Sequence, residues 1–385
     1  MKNIYIFFPE GNVLNNPSLN CFFEDLSKKN NLKIFCKKNR YNKNLSNTKY
    51  FFQSKLILKI SNFIYNQICN YYLAFLFFFI SNFYLFFQKI DLIIGVDRVG
   101  LIEGSFLSSI KKKPLIFISF EIFFKSETSK RFKYLEKRAS KFVKIFIVQD
   151  KVRLKYLQTE NKLNKRDAFI LPVASSRKIT NKNNISLPNK VNSSEKKNYT
   201  LALIGSCVKW SMIDQVILTL SNWPENWRLL VHDRDFNSEN IKILKDKYKN
   251  IVLDKIIFSK SMINDIDSIS NLLKNVSLGL AMYNPTYDSM YTGLNLKYMG
   301  LSSGKISTYF KHNIPIISNI LKNYPSYRKY KLGHNILNVN QIPRILKNFN
   351  PSFFKRDPKE YFNKYLSYDI YKDDLLNLIN KYLKN

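Results

Sequence analysis

The residues best suited to chemistry gather in one stretch and at several strand ends. Residues 300–318 read GLSSGKISTYFKHNIPIIS. Ser302, Ser303 and Gly304 make a small-residue turn, and Lys305 opens a helix behind it. Backbone N–H groups at such a helix start, with the helix dipole, favour an anion such as a diphosphate. Lys305 adds a point charge, and either serine can cap the helix or donate a hydrogen bond. The plainer reading is an ordinary N-cap in front of a core helix. Carboxylates and arginines recur where strands end: Asp97 with Arg98, then Glu121, then Asp150 with Arg153. A carboxylate in that position can orient a reacting hydroxyl or take its proton. The plainer readings are a solvated loop carboxylate for Glu121 and an i, i+3 ion pair for Asp150 and Arg153.

Metal chemistry has a thinner basis. Residues 232–235 read HDRD, and Asp233 with Asp235 could hold Mg²⁺ or Mn²⁺ through oxygen ligands. Asp-x-Asp arises often by chance, and His232 reads as a strand-end residue, so no metal site is expected. Cys21, Cys36, Cys69 and Cys207 lie far apart without a CxxC pair, and His232, His312 and His334 are scattered. That spacing argues against structural zinc and a disulfide framework, and gives a His-centred triad little to build on.

These residues need elements to position them. The chain has 385 residues, room for two or three domains at roughly 100–200 residues each. Apolar residues make up 45% and aromatics 15%, enough for a sizeable core, which excludes a disordered chain. In the first half, strands are predicted at 3–8, 32–36, 90–96, 114–120 and 144–148. Helices are predicted at 18–29, 100–110 and 128–144, with two more between 55 and 88. Residues 90–96 (IDLIIGV) and 114–120 (PLIFISF) are apolar on both faces, as fully buried strands are. Residues 175–198 are polar and aperiodic, the composition of a linker. The pattern then restarts, with strands at 199–204, 227–232, 251–254, 276–282 and 314–318. Helices fall between them at 212–220, 239–247 (Ser238 as N-cap), 266–273 and 305–311. Strand–helix alternation predicts parallel sheets covered on both sides. The expected fold is α/β, with two facing Rossmann-like, doubly wound domains and a cleft between them. The expected domains are 1–174, a linker at 175–198, 199–350, and a helical segment at 351–385 packing back on the first domain. Ligands of such sheets sit outside the carboxyl ends of the strands, so the cleft is the default site.

Charge and hydropathy add two expectations. Lys and Arg number 62 against 28 Asp and Glu, a net charge of +34. A nucleic-acid partner, an anionic membrane surface and biased composition would each account for it. The chain carries neither an RRM signature nor a zinc-finger spacing, so nucleic acid is not expected. The start, MKNIYIFFPEGNVLNN, lacks a signal-peptide cleavage site and reads as a first strand. Residues 71–87 (YYLAFLFFFISNFYLFF) are broken by Ser81 and Asn82, whereas a spanning helix wants ~20 apolar residues. They are predicted to pack internally or to lie in an interface. Within 128–144, Phe132, Leu135, Ala139 and Phe142 mark one helix face. Lys130, Arg131, Lys133, Lys137, Arg138 and Lys141 mark the basic face opposite.

The 300–318 stretch resembles the donor-binding motif of GT-B glycosyltransferases of the group 1 type. That motif runs roughly small-small-x-Lys-hydrophobic-x-Glu-Tyr-x-x-x-Gly-x-Pro-hydrophobic-hydrophobic. Lys305, Tyr309, Pro315, Ile316 and Ile317 match it, while Thr308 stands where the family usually has Glu and Asn313 where it usually has Gly. Residues 202–210 (ALIGSCVKW) resemble the first strand and glycine turn of the family's donor domain, with Ser206 where many members have Arg. Residues 271–285 resemble the helix–strand element before the Lys motif, and 143–157 the last strand and following helix of the acceptor domain. The duplicated pattern fits the metal-using GT-A fold poorly.

The resemblance implies transfer of a sugar from a nucleotide-sugar donor to a saccharide or lipid-linked acceptor. The setting would be synthesis of a surface polysaccharide such as capsule, O-antigen or exopolysaccharide. It implies no cofactor beyond the donor substrate and no metal, because protein cations would take the diphosphate charge. Donor contacts would come from Gly205, Ser206, Lys209, Tyr283, Ser302, Ser303, Gly304, Lys305, Thr308 and Tyr309, with Lys209 gripping the diphosphate. Thr308 offers one donated hydrogen bond where Glu would accept two. Asp97, Arg98 and Arg153 would line the acceptor pocket, and Glu121 or Asp150 would be the base. The donors of this family are cytoplasmic, so the expected location is the cytoplasm, with a peripheral place on the inner membrane face left open. The alternatives are an inactive GT-B-like protein and a basic nucleic-acid binder.

Overall fold

The computed structural model describes residues 1–38, 45–52, 55–67, 70–163, 167–178, 198–233, 239–249, 253–259 and 269–384. They form two compact units. The first comprises Met1–Ser176, Tyr287–Ser302 and Tyr368–Asn385; the second comprises Arg177–Thr286 and Ser303–Ser367. Most of the predicted linker, together with Cys69, Asp235 and Ser238, lies outside the described residues.

The first unit is built on strands β1 (Lys2–Phe8), β2 (Asn30–Cys36), β3 (Thr48–Phe52), β4 (Leu92–Val96), β5 (Leu115–Ile118), β6 (Val143–Val148) and β7 (Asp167–Ile170). They form one parallel sheet in the order β3-β2-β1-β4-β5-β6-β7. Period-two alternation explains its double burial. Ile4, Ile6 and Phe8 of β1 enter one core, and Tyr5 and Phe7 enter the other. Helix α1 (Pro17–Ser27) covers the first face. Helices α2 (Lys55–Gln67), α3 (Tyr71–Ser81), α4 (Asp97–Lys111) and α5 (Lys130–Ser140) feed the second, and α6 (Lys151–Asn161) follows β6. Glycines let β1, β4 and α4 approach closely: a Cβ on Gly100 would lie 2.2 Å from the Phe7 carbonyl oxygen. The basic face predicted on 128–144 is reduced by one member. Lys133 is buried, donating to the Phe123 carbonyl at 2.5 Å and to Glu136 Oε2 at 3.2 Å.

The second unit repeats the plan with β8 (Tyr199–Gly205), β9 (Trp227–Asp233), β10 (Ile256–Phe258), β11 (Leu278–Ala281), β12 (Ile316–Ser318) and β13 (Gly333–Asn335). Its parallel order is β10-β9-β8-β11-β12-β13. In chain order its helices are α7 (Ile213–Leu218), α8 (Glu239–Lys247) and α9 (Ile269–Leu273); after α10 (Leu294–Lys297), which belongs to the first unit, come α11 (Gly304–Lys311), α12 (Ile342–Lys347) and α13 (Asp357–Tyr361). The last helix, α14 (Tyr368–Lys384), also belongs to the first unit, where Tyr368, Leu375, Ile379 and Leu383 join the core under α1. No helix among the described residues is long and apolar enough to cross a membrane.

In each sheet the strand order reverses once, between β1 and β4 and between β8 and β11. Such reversals leave a crevice outside the carboxyl ends of the strands, the usual ligand position in open α/β sheets.

Candidate functional site

In the second unit, the reversal between β8 and β11 is lined by residues singled out from the sequence. Gly205 ends β8 with φ +98°, a conformation that favours glycine. A Cβ there would stand 3.3 Å from Lys305 Cε, so glycine leaves room for the lysine to lie across the turn. Lys305 sits at the start of α11, whose N-cap is Ser303: the Ser303 hydroxyl accepts from the Ile306 amide at 3.2 Å. The Lys305 ammonium lies 5.7 Å from the ring centre of Tyr283 and 5.9 Å from that of Trp210. Those two rings stack on each other at 5.8 Å and 7°. Tyr283 follows β11 and hydrogen-bonds Ser303 at 2.5 Å. Lysine ammonium, helix N-terminus and glycine turn therefore converge, and together they favour an anion.

Other predicted donor residues are placed differently. Tyr309 is fully buried under Gly279, donating its hydroxyl proton to the Ala202 carbonyl at 2.5 Å and accepting from the Ile204 amide at 3.1 Å. It fastens α11 to β8 and offers nothing to a ligand. The Thr308 hydroxyl donates to the Gly304 carbonyl of its own helix at 2.7 Å, which occupies the donor expected for the sugar. Ser302 falls in the stretch that belongs to the first unit, with its hydroxyl on the Met299 carbonyl. Ser206 is half-buried beside Gly205, and Lys209 is exposed at the start of the turn Lys209–Ser211. Trp210, quoted in the glycine-turn segment but not singled out, is a residue of this turn that sequence reasoning missed. His232 and Asp233 end β9 beside the glycine turn, with Asp233 paired to Gly205. Burial lowers the His232 pKa. Among the described residues no group of three or more His, Cys, Asp or Glu is placed to hold a metal ion.

In the first unit, the corresponding strand ends carry three carboxylates. Glu10 follows β1, where its Oε2 accepts from the Val99 amide and its Oε1 from the Tyr291 hydroxyl, each at 3.3 Å. Sequence reasoning passed over Glu10, although the strand-end rule applied to Asp97 and Glu121 also reaches it. Asp97 is buried with φ +53°, and its Oδ1 accepts from the amides of Phe120 and Glu121 at 2.7 and 3.0 Å. It fixes the loop after β5 and is not presented to an acceptor. Burial raises its pKa well above the usual carboxylate range, and the charges of Glu121 and Glu10 push the same way. Glu121 is half-buried. Burial pushes its carboxyl up to about 7; Arg153 pulls it down and Glu10 raises it further.

The arginines predicted to line an acceptor pocket are spent inside the unit. Arg98 lies between rings, 3.4 Å from the centre of Phe132 and 4.0 Å from that of Phe123, with Nη1 donating to Thr128 Oγ1 at 2.5 Å. Arg153 donates to Gln149 Oε1 at 2.9 Å, to the Tyr298 carbonyl at 3.2 Å and to the Phe120 carbonyl. Both are about 1% exposed. Asp150 is the N-cap of α6, accepting from the Arg153 amide at 2.8 Å, while its other oxygen accepts from the Leu301 amide at 3.0 Å. A carboxylate held by backbone on both oxygens suits a cap, not a base. That leaves Glu121, whose carboxyl burial pushes up to about 7, as the base candidate.

No protein-family model matches the chain, and no curated protein matches it in sequence. Solved structures match nearly its whole length. The structure of Anabaena HepE in complex with UDP-glucose gives a TM-score of 0.65 at 9% identity, covering 99% of this chain and 100% of that one. The apo form of WaaB, a lipopolysaccharide outer core galactosyltransferase, gives 0.55 at 13%, covering 98% and 99%. A Listeria monocytogenes protein described as a UDP-N-acetylglucosamine 2-epimerase gives 0.56 at 9%, covering 100% and 97%. At these identities the likeness is one of fold: the chain has the GT-B fold, with two Rossmann-like α/β domains.

Proposed function

We propose that this protein is a glycosyltransferase. It moves a sugar from a nucleoside-diphosphate donor to a saccharide or lipid-linked saccharide acceptor during synthesis of a surface polysaccharide. The observation that carries the reading is Lys305 at the capped start of α11, lying over the Gly205 turn beside Trp210 and Tyr283. The donor diphosphate sits there, and Lys209 is a second cation for it. The HepE structure holding UDP-glucose supports a nucleotide sugar, and the galactosyltransferase WaaB supports a saccharide acceptor.

The mechanism follows from charge. Glu121 takes the proton of the acceptor hydroxyl as the oxygen bonds to the anomeric carbon. The bond from that carbon to the diphosphate oxygen breaks, and the leaving diphosphate gains negative charge. Lys305 and the α11 N-terminus stabilise that charge, so the reaction needs no divalent metal. A preset cation aimed at developing charge is the kind of group whose removal costs about 10²–10³ in rate. The protein works in the cytoplasm.

The likeness to an epimerase structure defines the competing reading, isomerisation of the sugar with the nucleotide retained. The test is a screen of UDP-, GDP-, ADP- and CMP-sugars, with and without EDTA, following free nucleotide and sugar identity together. Glycosyl transfer predicts release of free nucleoside diphosphate from one donor class, undiminished by EDTA. An isomerised sugar still joined to its nucleotide would replace this reading with the epimerase one, and loss of release in EDTA would refute metal independence.

A further inference from the structure

We propose that the first unit docks on an anionic phospholipid bilayer through the outer faces of α2, α3 and the turn Phe83–Phe87. On α2, Leu56, Ile60 and Phe63 recur at helical spacing and are exposed, while Ser61 and Tyr65 face inward. On α3, Tyr72, Leu76 and Ile80 are exposed at four-residue steps, while Tyr71, Ala74 and Phe78 enter the core. Phe83 and Phe87 continue the outer stripe, and Ile80 and Phe87 reach 70% and 73% exposure. A helix apolar all round is ordinarily covered all round, and here only one side is. Large apolar side chains exposed along one side of successive helices mark an interaction site.

Charge identifies the occupant. From residue 26 to residue 90 the sequence contains eleven Lys and Arg and no Asp or Glu. Lys49, Lys59 and Lys89 of this stretch are exposed. Apolar rings and aliphatic side chains flanked by cations match the acyl and headgroup layers of an anionic membrane. A second copy of the chain would bring the same positive charge to the contact, and a nucleic acid would leave the apolar stripes unused. With no helix among the described residues able to cross, the helices lie along the surface. The proposal goes beyond glycosyl transfer, and its readout needs no catalytic activity.

The test mixes the full chain with vesicles of phosphatidylcholine alone and with added phosphatidylglycerol, and measures co-sedimentation. The expected result is at least tenfold stronger partitioning onto the anionic vesicles, weakening as salt rises. The double variant L76E/I80E loses at least tenfold of that binding at an unchanged melting temperature. Separately, F87W emission shifts to the blue on anionic vesicles and is quenched by brominated acyl chains. Equal partitioning onto both vesicles, undiminished binding of L76E/I80E, or an unquenched F87W overturns the proposal. So does a lipid-free dimer that L76E/I80E dissolves, which would assign the face to a second copy.

Discussion

Burial holds the Glu121 carboxyl at a pKa of about 7, against an ordinary value of 4.5. A base with that pKa becomes competent as pH rises through neutrality, so kcat should climb between about pH 6 and pH 8. Glu121→Gln should lower kcat by ~10²–10⁴ and flatten the profile. The stability effect has the opposite sense. The folded chain keeps the Glu121 proton between 4.5 and about 7, where the unfolded chain has lost it. Stability from this group is therefore complete below 4.5 and lost as pH rises to 7. Melting curves should find Glu121→Gln more stable than the parent at pH 8 and no more stable at pH 4. At this scale the sequence was partly legible. Lys305 and Gly205 could be located because a helix start and a glycine turn leave local signatures. The roles of Asp97, Arg98, Asp150, Arg153 and Tyr309 could not, because a side chain just past a strand end or on a helix can turn outward or back into the fold. Which way it turns depends on partners distant in sequence, such as Tyr298 for Arg153 and Ala202 for Tyr309.

The loops that carry Glu121 are held by elements around Arg153. Its guanidinium ties the loop after β5, through the Phe120 carbonyl, to the end of α10, through the Tyr298 carbonyl. Arg153→Met keeps the bulk and removes the donors, leaving those carbonyls short of partners. Urea unfolding should show a loss of about 1–3 kcal/mol, the cost of unsatisfied buried acceptors. Arg153→Lys should recover less than half, since one ammonium cannot reproduce the guanidinium fork. Central strands such as β4, β5 and β11 were legible as apolar runs, because a strand covered on both faces has no polar side. The edge strands β3, β7 and β13 were not, being three to five residues long and half-exposed. Helix α4 begins at Asp97, earlier than the predicted start at 100, and the Asp97 carboxylate bonds to the loop after β5.

Across the whole molecule, the two units do not follow chain order. Residues 287–302 and 368–385 belong with the first unit although both lie in the second half of the chain. The repeated strand–helix pattern made two Rossmann-like halves legible, but the assignment of 287–302 rests on pairings such as Asn295 with Ile122, invisible to local periodicity. Helix α14 is structural to the first unit: Leu375 is fully buried in its core. Leu375→Ala should cost about 2–5 kcal/mol. Trp210, Trp223 and Trp227 are the chain's three tryptophans, and all lie in the second unit. Their emission should therefore keep its transition in Leu375→Ala while the far-ultraviolet circular dichroism gains an earlier one. A single coincident shift in both signals would show that the units unfold together.

The central claim is that Lys305 and the α11 start hold the donor diphosphate. Isothermal titration of UDP, GDP and ADP into the protein and into Lys305→Ala tests it most directly. One nucleoside diphosphate should bind the parent, and the variant should weaken it by about 1–3 kcal/mol, the range for hydrogen bonds to charged groups. Absence of binding by all three, or equal affinity for parent and variant, would contradict the account.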